Sequence, residues 1–186
     1  MGELYTIDTA TREISVEEYL ARFHNPDEVE GYCRACSNYG RQWGCPPFYF
    51  EVVELISRYK SILLVATKIT PLDRTIPFAE MERYLRPERR RLEEQLLSAE
   101  KRYNGLSCSF IGECLHCDKG VCSRLEGLPC RHPHLVRPSL EAYGFDVAKT
   151  MSELFSTELK WGEGNLLPEY IVLVCALLHN SPAAEL

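Results

Sequence analysis

Two runs of this chain are apolar almost without a break, Ser61–Ile69 (SILLVATKI) and Tyr170–Leu178 (YIVLVCALL). Neither shows the polar alternation of a half-exposed strand, so both are predicted as strands covered on two faces. Ser107–Ile111 predicts a further core strand, and the alternation in Glu3–Ile7 predicts a short one near the start. Helical spacing marks other segments. Ser15 with Glu18 forms a capping box that starts a helix ending near Phe23. Val52, Val53, Leu55, Ile56 and Tyr59 share one side of a helix predicted across Phe48–Tyr59, just after Pro46-Pro47. Pro87 is placed to open a helix in which Leu92, Leu96, Ala99 and Tyr103 recur. Ser139 and Asp146 are N-cap residues for one broken helix or two short ones, interrupted at Gly144.

The order strand, helix, strand, cysteine-rich segment, helix, strand predicts an α+β fold. Its form is a small sheet with helices packed on it, broadly ferredoxin-like in layering. The 186 residues fit a single domain, 1–186, with two cysteine-rich loops inserted at 31–47 and 108–134. Apolar residues make up 45% of the chain, enough to build a core without help from disulfides. The N-terminal stretch MGELYTIDTATREISVEEYL has neither a basic n-region nor an apolar h-region, and the longest apolar run is far too short to span a bilayer. A cytoplasmic protein with no membrane partner is the expectation. A net charge of −6 argues against a nucleic-acid partner. The basic run Arg89-Arg90-Arg91 is surrounded by Glu88, Glu93, Glu94 and Glu100 and reads as a solvated helix face.

Cysteine placement changes the picture most. Eight of nine cysteines fall into two groups, Cys33-x2-Cys36-x8-Cys45-Pro46-Pro47 and Cys108-x5-Cys114-x2-Cys117-x4-Cys122-x7-Cys130. The ninth, Cys175, lies in an apolar run and behaves as a small hydrophobe. An odd count, no export signal and CxxC spacing point to metal binding in a reducing compartment rather than to disulfides. A CxxC pair sets two sulfurs on one tight turn, where both can reach the same centre. Zinc and iron–sulfur clusters each accept four thiolates. Structural zinc commonly uses two CxxC knuckles, whereas each group here has one and runs on toward proline, the form of iron–sulfur ligation. One or two [4Fe–4S] clusters are therefore expected, with zinc as the alternative. The candidate ligands are Cys33, Cys36, Cys45, Cys108, Cys114, Cys117, Cys122 and Cys130.

The first group supplies three thiols and leaves its fourth ligand open. Cys108 can complete it, the two groups can exchange ligands, or one iron can stay open for substrate. His116, His132 and His134 lie in or just after the second group and are secondary ligand candidates. His24 and His179 lack any motif. Arg34, Arg41, Arg124 and Arg131 flank the cysteines, where cations ease the burial of an anionic cluster. Trp43, Phe48 and Tyr49 can shield the first site from water.

The stretch Cys33-x2-Cys36, Tyr39-Gly40, Trp43-x-Cys45-Pro46-Pro47 resembles the N-terminal signature of an uncharacterised prokaryotic family of predicted metal-binding proteins. A second run resembles that family's later signature: Gly112-x-Cys114-x2-Cys117-x4-Cys122, then Pro129-Cys130-Arg131-His132-Pro133 and Arg137-Pro138-Ser139-x-Glu141-Ala142. The resemblance covers most of residues 30–178. It implies a bound metal or iron–sulfur centre on Cys33, Cys36, Cys45, Cys114, Cys117, Cys122 and Cys130, and it implies no reaction. The family pattern does not fix a cysteine at Cys108, which makes that residue a local addition or a buried thiol. Arg137, Ser139 and Glu141 are read as a helix start that can also back the metal loop.

The functional expectation is an electron-transfer protein working with a redox partner protein. A structural zinc interaction module and an enzyme with an open cluster iron are the alternatives. No phosphate loop, nucleophile elbow or HExxH motif is present in the sequence.

Overall fold

The computed structural model describes residues 4–109, 112–117, 121–162 and 165–186. Its centre is a four-stranded antiparallel sheet in the order β1-β2-β4-β3, built from β1 (Tyr5–Ser15), β2 (Ser61–Pro71), β3 (Leu106–Cys108) and β4 (Ile171–His179). The apolar runs become β2 and β4, the two inner strands. Their register pairs Ile62 with Leu178, Leu64 with Ala176 and Ala66 with Val174 on one face. Leu63 with Leu177 and Val65 with Cys175 point to the other face. Both faces are covered, which is why neither strand alternates.

On the first face, helices α1 (Val16–Phe23) and α5 (Val147–Phe155) pack with Tyr143 and Phe145 over Leu64, Val174 and Ala176. On the second, Leu92, Leu96 and Ala99 of the long helix α4 (Glu82–Tyr103) cover Val65, Cys175 and Leu177. Helices therefore layer on both sides of an α+β sheet. Ser15 caps α1 by accepting from the Glu18 amide at 3.1 Å, and Asp146 caps α5 by accepting from Lys149 at 2.8 Å. Gly144, with φ +84°, makes the turn between Ser139 and α5, and a Cβ there would stand 3.0 Å from Pro26.

Several boundaries differ from expectation. β1 runs to Ser15 instead of stopping at Ile7, because an edge strand of exposed Thr, Asp and Arg residues carries little apolar signal. Helix α2 (Pro26–Ala35) occupies a segment expected as loop: Pro26 sits at its first position, and Gly31 is tolerated on its exposed side. The helix expected over Phe48–Tyr59 shrinks to α3 (Val52–Ile56), while Phe48 and Phe50 stack on each other at 5.1 Å and tilt against Tyr143. Helix α4 begins five residues before Pro87, which it contains. The strand expected over Ser107–Ile111 forms as β3, Leu106–Cys108, and positions 110–111 of that expectation lie outside the described residues. No helix among the described residues is long and apolar enough to cross a membrane.

Candidate metal centre

The two cysteine segments meet across one cavity. Cys33 lies in the last turn of α2 and Cys36 is its C-cap. The chain then turns back, with the Gly40 amide donating to the Pro46 carbonyl at 2.8 Å. Arg124, from the second segment, clamps this loop. Its guanidinium donates to the carbonyls of Gln42 at 2.7 Å, Cys45 at 2.5 Å and Pro47 at 2.6 Å, and it lies 5.3 Å over the Trp43 ring. Gln42 answers in the opposite direction, its Oε1 accepting from the Cys114 amide at 2.8 Å. The two cysteine segments are thus tied to each other from both sides.

Cys33, Cys36, Cys45 and Cys114 line one cavity of about 130 Å³. A second cavity of about 400 Å³ is lined by Cys114, Cys117 and Cys122, with Arg41 and Gln42 beside them. Cys114 thus stands between the two spaces. Cys130 lines neither of them, and its sulfur accepts from the His132 amide at 3.4 Å. The same local turn recurs at Cys36, whose sulfur accepts from the Asn38 amide at 3.5 Å, and at Cys114, which the His116 amide faces. In each case the amide two residues downstream points at sulfur. Such N–H···S bonds favour the thiolate that a soft metal requires.

The electrostatics fit the same chemistry. Burial pushes the Cys45 thiol up to about 11, with Cys36, Cys33 and Cys114 adding to the rise and Arg124 opposing it. Cys33 is raised by burial, then by Glu141 and Cys36. Cys114 is raised by burial, against the pull of the His116 amide, with Cys117 and Cys122 adding. These sulfurs lie within one another's field, so ionising them together calls for a cation among them. Among the described residues, no three His, Cys, Asp or Glu side chains converge closely enough to hold a single metal ion. Four cysteines share the lining of the first cavity.

Cys108 stands apart from both cavities. It is fully buried on β3 among Leu140, Tyr143 and Val174, and its thiol is raised by burial, then by Cys175, Glu100 and Glu141. Cys175 is equally buried on the opposite face of the sheet.

The flanking cations divide. Arg34 pairs with Glu30 at 3.0 Å in solvent, and Arg131 with Glu126 at 3.6 Å. Arg41 lines the second cavity, and Arg124 is the clamp already described. Among the histidines, His116 lies on the first cavity, 3.2 Å from Glu93 and with its ring 6.5 Å from that of His132. His134 is exposed, His24 bonds the Tyr143 carbonyl at 3.1 Å, and His179 is buried on β4. Trp43 donates to the Leu128 carbonyl at 3.2 Å, whereas Tyr49 is 87% exposed and shields nothing.

Arg137, Ser139 and Glu141 all line the first cavity. Ser139 caps a turn by accepting from the Ala142 amide at 3.2 Å, and Arg137 pairs with Glu100 of α4. The basic run is not uniformly solvated. Arg90 and Arg91 face water, but Arg89 turns inward, only 5% exposed, to bond Glu82 at 3.3 Å and the Glu113 carbonyl. Gly112, at φ +124°, makes room for it: a Cβ there would meet the Arg89 guanidinium at 2.9 Å. Sequence periodicity gives no warning of this, because the helical position of Arg89 is visible in the sequence and its partner in the loop is not. Gln42 carries no sequence signal of its bridging role either.

Cysteines gathered on one wall of an α+β fold, with amides aimed at their sulfurs, make a candidate centre for a soft metal. The family model described as "Predicted metal-binding protein (DUF2284)" matches residues 21–178, and the chain belongs to that family. No curated protein and no solved structure matches it.

Proposed function

We propose that this metal-binding protein is an iron–sulfur protein whose [4Fe–4S] centre is held by Cys33, Cys36, Cys45 and Cys114, and that it passes electrons to or from a partner protein. The observation that carries the reading is the common cavity: three thiols of the first group and one of the second line the same space. Cys114 takes the place that the sequence leaves open for Cys108. A zinc ion needs four sulfurs within about 2.3 Å of one point. A cavity with four cysteines spread along its lining suits a polynuclear cluster better. When bound, such a cluster supplies a one-electron couple whose potential responds to hydrogen bonds at its sulfurs. The chain's own residues provide those bonds from Asn38 and His116, and Arg124 fixes the loop that carries Cys45.

Electron exchange with a protein needs a route to the surface. Cys36 is exposed, and Tyr32 and Tyr49, 69% and 87% exposed, sit on the segments that carry the first group. Exposed aromatics of this kind are enriched where proteins dock. Cys117 and Cys122 line the further cavity beyond Cys114, and metal content decides whether they, with Cys130, hold a centre of their own.

Anaerobic purification with iron, zinc and sulfide quantitation tests the reading. Iron and sulfide at about four per chain, with an absorption band near roughly 400 nm that bleaches with dithionite, are expected for one cluster, and about eight for two. Zinc without sulfide would replace this reading with a structural thiolate site in an interaction module.

A further inference from the structure

The two outer strands of the sheet differ in how their free edges are treated. β3 is three residues long, and the chain continues it into contact with the Ser139 turn: Ser109 bridges Ser139, and its amide donates to the Pro138 carbonyl at 2.9 Å. β1 is eleven residues long, and residues 6–13 are all exposed. Among the described residues, β2 is the one strand that pairs with β1, and no loop makes a backbone hydrogen bond to residues 6–13. Such an edge is a template for another strand, and proteins commonly blunt it with proline, lysine or a bulge. β1 has none of these. Its pairs with β2 run from Tyr5 with Pro71 to Ser15 with Ser61 and skip no residue, and the strand YTIDTATREIS contains neither proline nor lysine.

The strand does carry charge, and the placing of the signs selects what can lie beside it. Asp8, Ala10 and Arg12 alternate onto one face of the sheet, with Ala10 midway between the two charges. Lys68, opposite Asp8 on β2, sets its ammonium 4.1 Å over the Tyr170 ring, and no Asp8–Lys68 ion pair forms among the described residues. Arg12 bonds the Leu154 carbonyl through Nε at 3.1 Å and the Thr11 carbonyl through Nη1 at 2.8 Å, and Nη2 takes part in neither bond.

Two copies of β1 that pair antiparallel about a two-fold axis through the sheet keep each face common, so every register is centred on one residue. Centred on Asp8 or on Arg12, the pairing sets like charges against each other. Centred on Thr9 or Thr11, it leaves every charge opposite an uncharged residue. Centred on Ala10, it places Asp8 of each protomer opposite Arg12 of the other, and Thr9 opposite Thr11. Opposite charges and β-branched pairs directly across from one another stabilise a sheet.

We infer that β1 is a homodimer interface, on which a second copy of this chain pairs antiparallel with Ala10 at the two-fold axis. The two four-stranded sheets then become one continuous sheet. Among the described residues, none of β1 lines either cysteine cavity, so the pairing does not depend on which metal is bound. A failure of the iron–sulfur reading and a failure of this one are therefore separable.

The test is sedimentation equilibrium of the full metal-loaded chain. Wild type should dimerise with a Kd on the order of 10 µM, as suits a small interface. Asp8→Arg and Arg12→Asp should each weaken self-association by at least about tenfold, because both cross-strand pairs become repulsive. Metal content and far-ultraviolet circular dichroism should be unchanged in each. Mixed in equal amounts, the two variants should recover wild-type dimerisation, since each supplies the charges that the other lacks. A wild type that stays monomeric well above that concentration would overturn the inference. So would dimers that survive both single variants, or a mixture of folded variants that associates no better than its components.

Discussion

Arg137 holds the carboxylate of Glu100 with two of its guanidinium nitrogens, Nε at 2.8 Å and Nη2 on the second oxygen. The same carboxylate accepts from the amide and hydroxyl of Ser107 at 2.8 and 2.6 Å. Three elements meet at this one group: α4 through Glu100, β3 through Ser107, and the turn that lines the cysteine cavity through Arg137. Each side chain of the pair is 17% exposed, so water screens it little. Burial raises the Glu100 carboxyl, but the bonds from Arg137 and Ser107 together outweigh it and the net shift is downward from 4.5. Arg137→Ala strands a half-buried carboxylate and should cost about 3 kcal/mol in urea unfolding. The stabilisation is complete above pH 4.5 and is lost as pH falls through the lowered folded value. The gap between wild-type and variant should therefore close on acidification, and a gap that stays constant would contradict this account.

Arg124 bonds three carbonyls of the first cysteine loop without touching a cysteine side chain in any of those bonds. Arg124→Ala should leave the fold intact and loosen Cys45. Metal release to a chelator should then rise about 10- to 100-fold, the usual effect of removing a group that orients ligands. An unchanged release rate would show that the loop keeps its form unaided.

Thiol reactivity separates core cysteines from site cysteines. Burial pushes Cys175 up to about 12 and raises Cys108 in the same direction. After metal removal at neutral pH, Cys36, which is exposed, should alkylate first. Cys108 and Cys175 should resist until the protein unfolds, as peptide mass mapping would record. Early modification of Cys108 would place it at the site instead of in the core.

Capping offers a local check on the fold. Ser15 is the last residue of β1 and the N-cap of α1, so Ser15→Ala removes the acceptor for the Glu18 amide. A loss of about 1 kcal/mol is expected in chemical denaturation. No loss would mean that the sheet alone fixes this corner.

The parts of the fold legible in the sequence are those where one physical effect dominates. β2 and β4 read clearly because burial on both faces makes them continuously apolar, and the α1 and α5 caps read clearly because capping is local. β1 read poorly past Ile7, since an exposed edge strand needs no apolar residues. α2 was hidden by Pro26 and Gly31, which signal loops more often than helices. At the site, the cysteines were visible as residues but their grouping was not. Cys114 is 69 residues from Cys45 in sequence, and what joins them is the crossing of Gln42 and Arg124 between the two segments. Arg89 and Glu141 were hidden for the same reason, their partners lying across the fold.

In the proposed centre Cys114, and not Cys108, completes the first thiol group. Metal content of anaerobically purified Cys114→Ser and Cys108→Ser, measured beside wild-type, tests it most directly. Cys108→Ser should retain the full metal complement, and Cys114→Ser should lose at least the metal of the first centre. Full metal in Cys114→Ser with loss in Cys108→Ser would contradict the account and move the fourth ligand into the core strand.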